Sequence, residues 1–402
     1  MIVLPEKVQR IIGTLQQDGY EAYAVGGCVR DSLLGRKPDD WDITTSARPE
    51  QVKALFRRTV DTGIKHGTVT VMFGAEGFEV TTYRIDGDYE DGRHPKEVAF
   101  TPDLKEDLRR RDFTINAMAY NDQGLVDLFD GQGDMERKLI RAVGEAQERF
   151  TEDALRILRA VRFSAQLDYA IEAHTKEAIV SLKDRLQLIS AERIRVELQK
   201  LLLSDHPEKL NELYELGITG IVLREYDRLT EEERREAVLA LQRSEKSVVI
   251  RLAVLLHFCK NCRPVLQRLK YDNATIRAVS ILTEHVDDKI DLTPEGVRRF
   301  SVLTGPDLMP AMILFKRALG QDPEETDRLE KEYREMLKRA DCISMKDLAV
   351  TGNDLILKMH MKPGKELGEC LQFLFDRVLA DPSLNDKEKL LALLQEKRES
   401  VS

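Results

Sequence analysis

Hydrophobic and polar positions follow two different periods along this chain of 402 residues. In the first 140 residues or so, a segment with helical spacing at residues 5–19 is followed by short alternating runs that are typical of β-strands. The strand-like runs are residues 20–25, 40–45, 68–73 and 78–83. Residues 74–77 join the last two runs and predict a hairpin. Strands interspersed with helices predict an α+β fold class with an α/β head.

After about Arg141 the chain has helical spacing almost throughout, with Lys, Arg and Glu on the outer faces. This pattern predicts an all-helical remainder arranged in several bundles. Residues 205–207 and 304–306 are breaks between them. We therefore expect four domains, namely a head at residues 1–140, a helical neck at 141–205, a helical body at 206–330 and a helical tail at 331–402.

The composition is that of a globular protein, with 42% hydrophobic and 33% charged residues. No apolar run approaches the roughly 20 residues that a membrane-spanning helix needs, so we expect no membrane partner. Five scattered cysteines indicate reduced thiols in a cytoplasmic protein. The net charge of -9 argues against a nucleic-acid partner, but a global sum can hide a basic face. Composition therefore leaves the partner open.

A glycine-rich turn at residues 26–31, Gly-Gly-Cys-Val-Arg-Asp, follows the first strand and opens a helix. Gly26 and Gly27 have no Cβ, so the backbone here can approach a phosphate closely, and a helix N-terminus favours anions. Arg30, one turn into the helix, is suited to fork a pair of phosphate oxygens. Taken alone, these residues fit equally well a strand-to-helix turn that merely needs glycine.

Asp40 and Asp42 are two positions apart in a strand-like run, which places both carboxylates on one face. Mg²⁺ prefers carboxylate and phosphate oxygens as ligands. A bare Asp-x-Asp is more often a solvent-facing pair on an edge strand. The phosphate-type turn upstream and a third acid, Glu79, on a later strand favour a two-metal site for in-line attack on an α-phosphate.

A basic triplet ends at Arg111 and is followed by Asp-Phe-Thr-Ile-Asn at residues 112–116. Arginines at this place are suited to contact a triphosphate or an RNA backbone. The alternative is a helix C-terminus whose cations favour the helix dipole. The neighbouring motifs favour the phosphate contact.

Together the Gly-Gly-x-Val-Arg-Asp, Asp-x-Asp and Arg-Arg-Asp-Phe-Thr-Ile-Asn motifs, in this order and spacing, resemble class II tRNA nucleotidyltransferases. These are the CCA-adding enzymes of the polymerase-β superfamily, and the chain most resembles their compact Gram-positive type. Residues 127–131 are similar to the family's hinge motif, and residues 152–156 to its nucleotide-selecting motif. The helix around residues 192–195 resembles the segment that buttresses the selector.

The resemblance implies a polymerase-β-like catalytic head with a mixed sheet, a neck that selects the nucleotide, and a tail that binds tRNA. It implies addition of the 3′-terminal CCA of tRNA from CTP and ATP, with the acceptor arm recognised by its shape. Asp40 and Asp42 would bind Mg²⁺, and Glu79 would align or deprotonate the attacking hydroxyl. The nucleotide contacts would come from Gly26, Gly27, Arg30, Arg111, Asp153, Arg156, Arg159 and Arg162.

Asp153 and Arg156 also suggest a base-reading role on chemical grounds. Being three apart, they are predicted to be neighbours on one helix face. An ionised Asp only accepts hydrogen bonds and Arg only donates them, which matches the edge shared by cytosine and adenine but not that of uracil or guanine. The alternative is an ordinary surface ion pair.

Residues 86–95 resemble the flexible loop of complete CCA-adding and A-adding enzymes, although the family often has a second arginine where His94 stands. An ordinary surface loop is the alternative. Cys259 and Cys262, near His257, are interpreted as free thiols, because a structural zinc site needs four ligands and a second Cys pair is missing.

Three rival functions stay open. An A-adding or partial CCA-adding enzyme would have the same site. A poly(A) polymerase on this scaffold usually carries a long basic C-terminal extension, which this chain lacks. An inactive RNA-binding module would be expected to have lost Asp40, Asp42 or Arg30, and all three are present. Whether the protein forms a homodimer is also left open.

Overall fold

The computed structural model describes residues 2–87 and 98–399. The chain divides into two compact units, Met1–Arg228 and Leu229–Ser402. The first unit contains the described strands, and the second is built from helices. The finer division into head, neck, body and tail at residues 1–140, 141–205, 206–330 and 331–402 stays a prediction.

Eleven strands are described in the first unit, and seven of them form one sheet. In chain order they are β1 (Ala22–Val25), β2 (Ile43–Thr45), β3 (Thr59–Gly63), β4 (Thr68–Phe73), β5 (Glu76–Thr82), β6 (Arg84–Asp86), β7 (Val98–Phe100), β8 (Met118–Asn121), β9 (Gly124–Asp127), β10 (Leu139–Ile140) and β11 (Ala170–Ile171). The large sheet has the order β3-β4-β5-β2-β1-β8-β9. Only β2 and β5 pair in parallel within it, so the predicted mixed sheet is confirmed.

The predicted hairpin is also confirmed, because β4 and β5 pair in antiparallel register from Thr68–Thr81 to Phe73–Glu76. Its turn is shorter than the sequence pattern suggested. Gly74 has φ of +66°, which a side chain rarely adopts, and this explains why glycine stands there.

Helices cover the sheet and continue through the rest of the first unit. They are α1 (Glu6–Gln17), α2 (Gly27–Leu33), α3 (Pro49–Leu55), α4 (Leu104–Arg109), α5 (Gly131–Glu136), α6 (Ala146–Glu152), α7 (Leu155–Leu167), α8 (Ala173–Leu182), α9 (Ala191–Leu202), α10 (Leu210–Glu215) and α11 (Thr219–Val222). Val8, Ile11 and Leu15 of α1 are spaced on one face and pack with Val69 and Val80 of the sheet in one buried core.

The second unit has ten described helices. They are α12 (Glu231–Arg243), α13 (Val248–Cys259), α14 (Cys262–Arg268), α15 (Asn273–His285), α16 (Pro294–Thr304), α17 (Met309–Ala318), α18 (Pro323–Lys338), α19 (Gly352–Met359), α20 (Lys365–Ala380) and α21 (Lys387–Glu399). A buried cluster that includes Leu355, Phe375 and Leu390 joins the last three. The helical prediction after Arg141 is confirmed, apart from the two-residue strand β11, which pairs in parallel with β10.

The longest helices described, α18 and α20, have 16 residues each. α18 carries charged residues along most of its length, and its buried side is limited to a few positions such as Leu329 and Met336. Within the described ranges, no helix has both the length and the apolar character needed to cross a membrane.

Candidate active site

The predicted metal-binding carboxylates lie at one end of the parallel strand pair. The prediction of a strand from residue 40 was wrong at its start, because Asp40 and Asp42 precede β2, which begins at Ile43. The ladder with β1 explains this boundary, since its first paired residue on β2 is Ile43. The carbonyl of Asp42 still accepts the N–H of Val25 at 3.0 Å, so Asp42 is anchored to the sheet outside the regular strand.

Glu79 reaches the same end from β5, one residue before Val80, which pairs with Ile43 of β2. Asp40, Asp42 and Glu79 are all exposed. Although Asp42 is open to solvent, surrounding protein atoms crowd its carboxyl, and this crowding is the largest cause that raises its pKa to about 6. The negative charges of Asp40 and Glu79 raise the pKa further, whereas Arg111 opposes them. The structure therefore brings the three acids and Arg111 into one electrostatic neighbourhood.

The donor set fits a divalent cation that is shared with a substrate. In the parts of the chain that the structure describes, no group of three His, Cys, Asp or Glu side chains is arranged to hold a metal alone. Mg²⁺ commonly takes one or two protein carboxylates and completes its shell with substrate phosphates and water. Asp40 and Asp42 supply such hard oxygen donors, and their mutual repulsion would be relieved by a cation.

The glycine turn lies directly against an arginine. Gly26 has φ of +84°, and a Cβ added there would lie 3.1 Å from Nη1 of Arg111. A Cβ on Gly27 would lie 3.7 Å from Nη2 of Arg30. Glycine is thus required at position 26 both by its backbone conformation and by the close approach of a guanidinium. The predicted helix after the turn is confirmed as α2.

Arg30 is buried and already oriented by two partners. Its Nε and Nη2 each donate to the carboxylate of Asp31 at 2.9 Å, and its Nη1 donates to Oδ1 of Asn116 at 2.5 Å. Five N–H groups are available on a guanidinium, so these three bonds leave donors for an anion. Asn116 in turn donates to Oδ1 of Asp112 at 3.0 Å. Sequence reasoning did not predict Asn116 as the residue that connects the first motif to the third.

Arg159 and Arg162 share an acidic partner on α9. Nη2 of Arg159 lies 2.6 Å from Oδ2 of Asp112, and Nε of Arg162 donates to Oε2 of Glu197 at 2.7 Å. Nη1 of Arg159 is 3.8 Å from Oε1 of Glu197. Burial lowers the pKa of Arg162 to about 10 although Glu197 opposes it. Burial alone would raise the pKa of Asp112, but Arg159 and Asn116 hold that pKa below its usual range.

The ring of Phe163 lies against three of the arginines of the site. Its ring centroid lies 3.6 Å from Cζ of Arg162, 5.0 Å from that of Arg30 and 5.3 Å from that of Arg159. Guanidinium groups at such distances are attracted by the ring face. Phe163 is buried and was missed from the sequence, although Arg159 and Phe163 have the i,i+4 spacing of helical neighbours.

The predicted arrangement of Asp153 and Arg156 on one helix face was wrong. Asp153 is extended, with φ of −140° and ψ of 102°; it ends α6, and α7 begins at Leu155. The carboxylate causes this break, because Oδ1 of Asp153 accepts the N–H of Leu155 at 3.0 Å and competes with a continuous helix. Asp153 pairs with Arg193 of α9 at 2.7 Å, in agreement with a buttress from that helix.

The side chain of Arg156 is buried and bonds to residues other than Asp153. It lies 2.6 Å from Glu152 and donates to the carbonyl oxygens of Arg149 at 3.1 Å and Arg110 at 2.7 Å. Arg149 likewise donates to the carbonyl oxygen of Arg109 at 2.8 Å. The segment around Arg156 is therefore fastened to the end of α4, directly before Arg111.

A cavity of about 490 Å³ brings together four of the predicted residues, Gly27, Arg30, Asp40 and Arg162. Arg36, Lys37 and Lys200 add positive charge to its lining, whereas Asp31, Asp39 and Asp205 add negative charge. The predicted loop at residues 86–95 lies outside the described residues from position 88 onwards.

Comparisons with known proteins agree with this site. Residues 22–141 match the family described as Poly A polymerase head domain, residues 168–229 match the probable RNA and SrmB-binding site of polymerase A, and residues 240–394 match tRNA nucleotidyltransferase domain 2. The chain is 37% identical to a CCA-adding enzyme of Lactobacillus delbrueckii subsp. bulgaricus and 38% identical to one of Pediococcus pentosaceus, with 96% of each chain covered in both cases.

The chain belongs to the CCA-adding enzyme family. The crystal structure of a Bacillus stearothermophilus CCA-adding enzyme in complex with CTP is similar over 99% of both chains, with 32% identity and a TM-score of 0.84. A Thermotoga maritima CCA-adding enzyme complexed with tRNA, at 22% identity and a TM-score of 0.65, shares the fold.

As a member of the CCA-adding enzymes, the protein is a tRNA-processing nucleotidyltransferase, and this family implies use of a divalent metal. The predicted fold class, a nucleotidyltransferase head followed by helices, is confirmed. The roles of the individual site residues stay predictions.

Proposed function

We propose that this protein builds or repairs the 3′-terminal CCA of tRNA from CTP and ATP, without a nucleic-acid template, and releases pyrophosphate. The observation that carries the residue-level proposal is the charge arrangement at Asp42, where two further acids and Arg111 act on one carboxyl. Carboxylates beside an arginine match a triphosphate that arrives with its cation. The relatives that match over nearly the whole chain are named for the same reaction.

Asp40 and Asp42 would hold Mg²⁺ in this proposal. Bound there, the ion would supply the positive charge that the triphosphate and the leaving pyrophosphate need. Glu79, on the neighbouring strand, would orient or deprotonate the attacking 3′-hydroxyl of the RNA. The raised pKa of Asp42 supports this assignment in part, because the negative charges of Asp40 and Glu79 add to the larger effect of burial and a cation would neutralise them.

Arg30 and Arg111 would hold the triphosphate at the turn formed by Gly26 and Gly27. Both guanidinium groups approach the glycine backbone closely, which leaves a surface of N–H groups with no side chain in the way. The contacts of Arg30 with Asp31 and Asn116 fix its plane before a nucleotide binds. A fixed donor loses less conformational entropy on binding than a free one.

Asp153 and Arg156 would read the base edge, with Arg159 and Arg162 as further nucleotide contacts. Asp153 accepts bonds from Arg193 and Leu155, and a carboxylate has about four acceptor positions, so it can still accept the exocyclic amine of cytosine or adenine. Arg156 would donate to the ring nitrogen beside that amine with one of the N–H groups that its bonds to Glu152, Arg149 and Arg110 leave over. Uracil and guanine present a carbonyl in place of the amine and would leave Asp153 facing another acceptor.

The helical remainder would bind the tRNA acceptor arm through shape and phosphate contacts, as duplex RNA requires. Residues 168–229 match a family described as a probable RNA-binding site, which supports an RNA contact in that region. We assign the protein to the cytoplasm, since its scattered cysteines are free thiols within the described residues and tRNA is its substrate.

The test is a primer-extension assay with a tRNA transcript that ends at the discriminator base, CTP, ATP and Mg²⁺, followed by sequencing of the products. We expect addition of C, C and A and no further growth. An A-adding enzyme would extend only a transcript that already ends in CC, and a poly(A) polymerase would give long A tracts.

The matched control is Asp42→Asn, which removes one negative charge at nearly constant size and should abolish extension. A wild-type protein that adds no nucleotide to any of these transcripts would overturn the proposal. Extension of equal efficiency by Asp42→Asn would overturn the assignment of the metal site.

A further inference from the structure

Asp107 is a fully buried carboxylate in α4 to which no role has been assigned so far. Burial would raise its pKa, but Arg110 and Arg111 hold that pKa below the usual range, so the group is an anion. Buried charges persist in proteins when they are paired and hydrogen-bonded. Asp107 satisfies this condition through three separate segments of the chain.

The first segment is the arginine pair directly after α4. Nη2 of Arg110 lies 2.8 Å from Oδ1 of Asp107, and Nη2 of Arg111 lies 3.4 Å from Oδ2. The opposite end of the Arg111 guanidinium approaches Gly26, as described above. Its Nε is buried and has no hydrogen-bond partner among the described residues, 2–87 and 98–399. Arg111 therefore still has an N–H group to donate.

The second segment is β2, which directly follows the metal-binding acids. Oγ1 of Thr44 donates to Oδ2 of Asp107 at 3.1 Å, and Thr44 is only two residues after Asp42. The third segment is the start of β6, where the N–H of Arg84 lies 3.4 Å from Oδ1. One carboxylate thus connects the strand that follows Asp42 with the arginine that faces Gly26.

We propose that Asp107 is a positioning residue that holds Arg111 at a fixed place relative to Asp42, where the triphosphate of either nucleotide binds. This inference rests on the proposed function. The nucleotide base lies with Asp153 and Arg156 in that scheme, so Asp107 affects the phosphate end alone. Loss of the Asp107 carboxylate therefore weakens the binding of CTP and of ATP equally and leaves the preference between their bases unchanged.

The test is equilibrium binding of CTP, ATP and CMP to Asp107→Asn and to the wild-type protein, with the same Mg²⁺ concentration. The amide keeps the shape but cannot accept from both arginines, so CTP and ATP should each bind about tenfold more weakly, the effect of one charge-assisted hydrogen bond. CMP lacks the outer phosphates and should bind with unchanged affinity. Equal weakening of CMP and CTP would show a general structural effect and overturn the proposal.

Arg111→Ala provides the coupling test. If Asp107 acts through Arg111, adding Asp107→Asn to Arg111→Ala should cause no further loss of CTP affinity. Additive losses would overturn the proposal. The matched control is Asp103→Ala, which removes the exposed N-terminal cap of the same helix, where Asp103 accepts the N–H of Lys105 at 2.8 Å. Asp103→Ala should leave the ratio of CTP to CMP affinity unchanged. A changed ratio in this control would show that the weaker CTP binding comes from any disturbance of helix α4 and not from Asp107 itself.

Thr44→Val gives a second, milder test if Asp107→Asn does not fold. It removes one donor to Asp107 at nearly constant volume. Because the carboxylate keeps its ion pairs with Arg110 and Arg111, CTP binding should weaken only about two- to threefold, without a change for CMP. Unchanged CTP affinity in this variant would overturn the proposal. A wild-type protein that binds neither CTP nor ATP would instead contradict the proposed function itself.

Discussion

Arg193 holds the carboxylate of Asp153 with two hydrogen bonds, from Nη2 to Oδ2 at 2.7 Å and from Nη1 to Oδ1 at 3.2 Å. The pair joins the break between α6 and α7 to α9. Because the N–H of Leu155 also donates to Oδ1, the carboxylate is fixed in its plane and its free acceptor positions have defined directions.

Arg193→Ala should therefore reduce the preference for C and A without abolishing polymerisation. We expect the selectivity over U and G to fall on the order of tenfold, because a rotating carboxylate loses the aligned acceptor. Competition among four nucleotides measures this, with Asp153→Ala as the reference for complete loss and the exposed neighbour Glu192→Gln as the control. Unchanged selectivity in Arg193→Ala would remove Arg193 from the base-reading scheme.

Gly26→Ala and Gly35→Ala separate backbone strain from damage to the site. Both glycines have positive φ, +84° and +70°, so each alanine should reduce the free energy of unfolding by roughly 1–3 kcal/mol. Only the Cβ at position 26 meets Arg111, at 3.1 Å, whereas nothing lies within 4 Å of a Cβ at position 35. Both melting temperatures should therefore fall, while CTP incorporation drops about tenfold or more in Gly26→Ala alone. Similar activity losses in both variants would contradict this account.

Phe163→Leu should impair the site beyond its effect on stability. Leucine removes the ring that three guanidinium groups contact, so we expect about tenfold lower activity together with roughly 1–2 kcal/mol of lost stability. Phe315→Leu, at a fully buried phenylalanine of α17, is the control for the stability loss alone. Equal kinetics of the two variants at matched stability would exclude a role of the ring in ordering the arginines.

Asp42→Asn should stabilise the metal-free protein at alkaline pH. The pKa of Asp42 is raised from 3.8 to about 6 in the folded state, so folding binds its proton more tightly and stability falls as pH rises between these values. Asparagine does not ionise, so the variant avoids this loss of stability. The loss is on the order of 1 kcal/mol above about pH 7 when screening by solvent is taken into account. Thermal melts in a chelator should show a gain at about pH 8 that largely disappears at about pH 4. A gain of equal size at both pH values would contradict the electrostatic explanation.

Local patterns in the sequence were sufficient to predict much of the structure of the head. The hairpin, the glycine turn and the helix after it are each specified within about ten residues, through turn chemistry and hydrophobic period. The two boundaries that were wrong, at Asp40–Ile43 and at Asp153, depend on which backbone groups find partners elsewhere. The ladder with β1 decides the first, and a side-chain bond to Leu155 decides the second.

Contacts between distant residues could not be predicted in the same way. Asp107 reaches Thr44 across 63 positions, and Arg30 reaches Asn116 across 86. No periodicity in a single sequence encodes such pairs, and the surrounding motif gives Asp107 the appearance of an ordinary helix residue. Phe163 was missed for a related reason, since its third arginine contact, Arg30, is 133 positions away, although Arg159 and Arg162 lie on its own helix.

The parallel pairing of β2 and β5 has a consequence for how the protein folds during its synthesis. Asp42 and Glu79 are brought together across α3, β3 and β4, which lie between them in the chain, and β1 has neighbours on both sides only when β8 pairs with it. Loop closure of this length makes such contacts slow to form. The sheet around β1 in a nascent chain would therefore stay incomplete until Asn121 has emerged, and limited proteolysis of a truncation series around that residue would reveal the onset of protection.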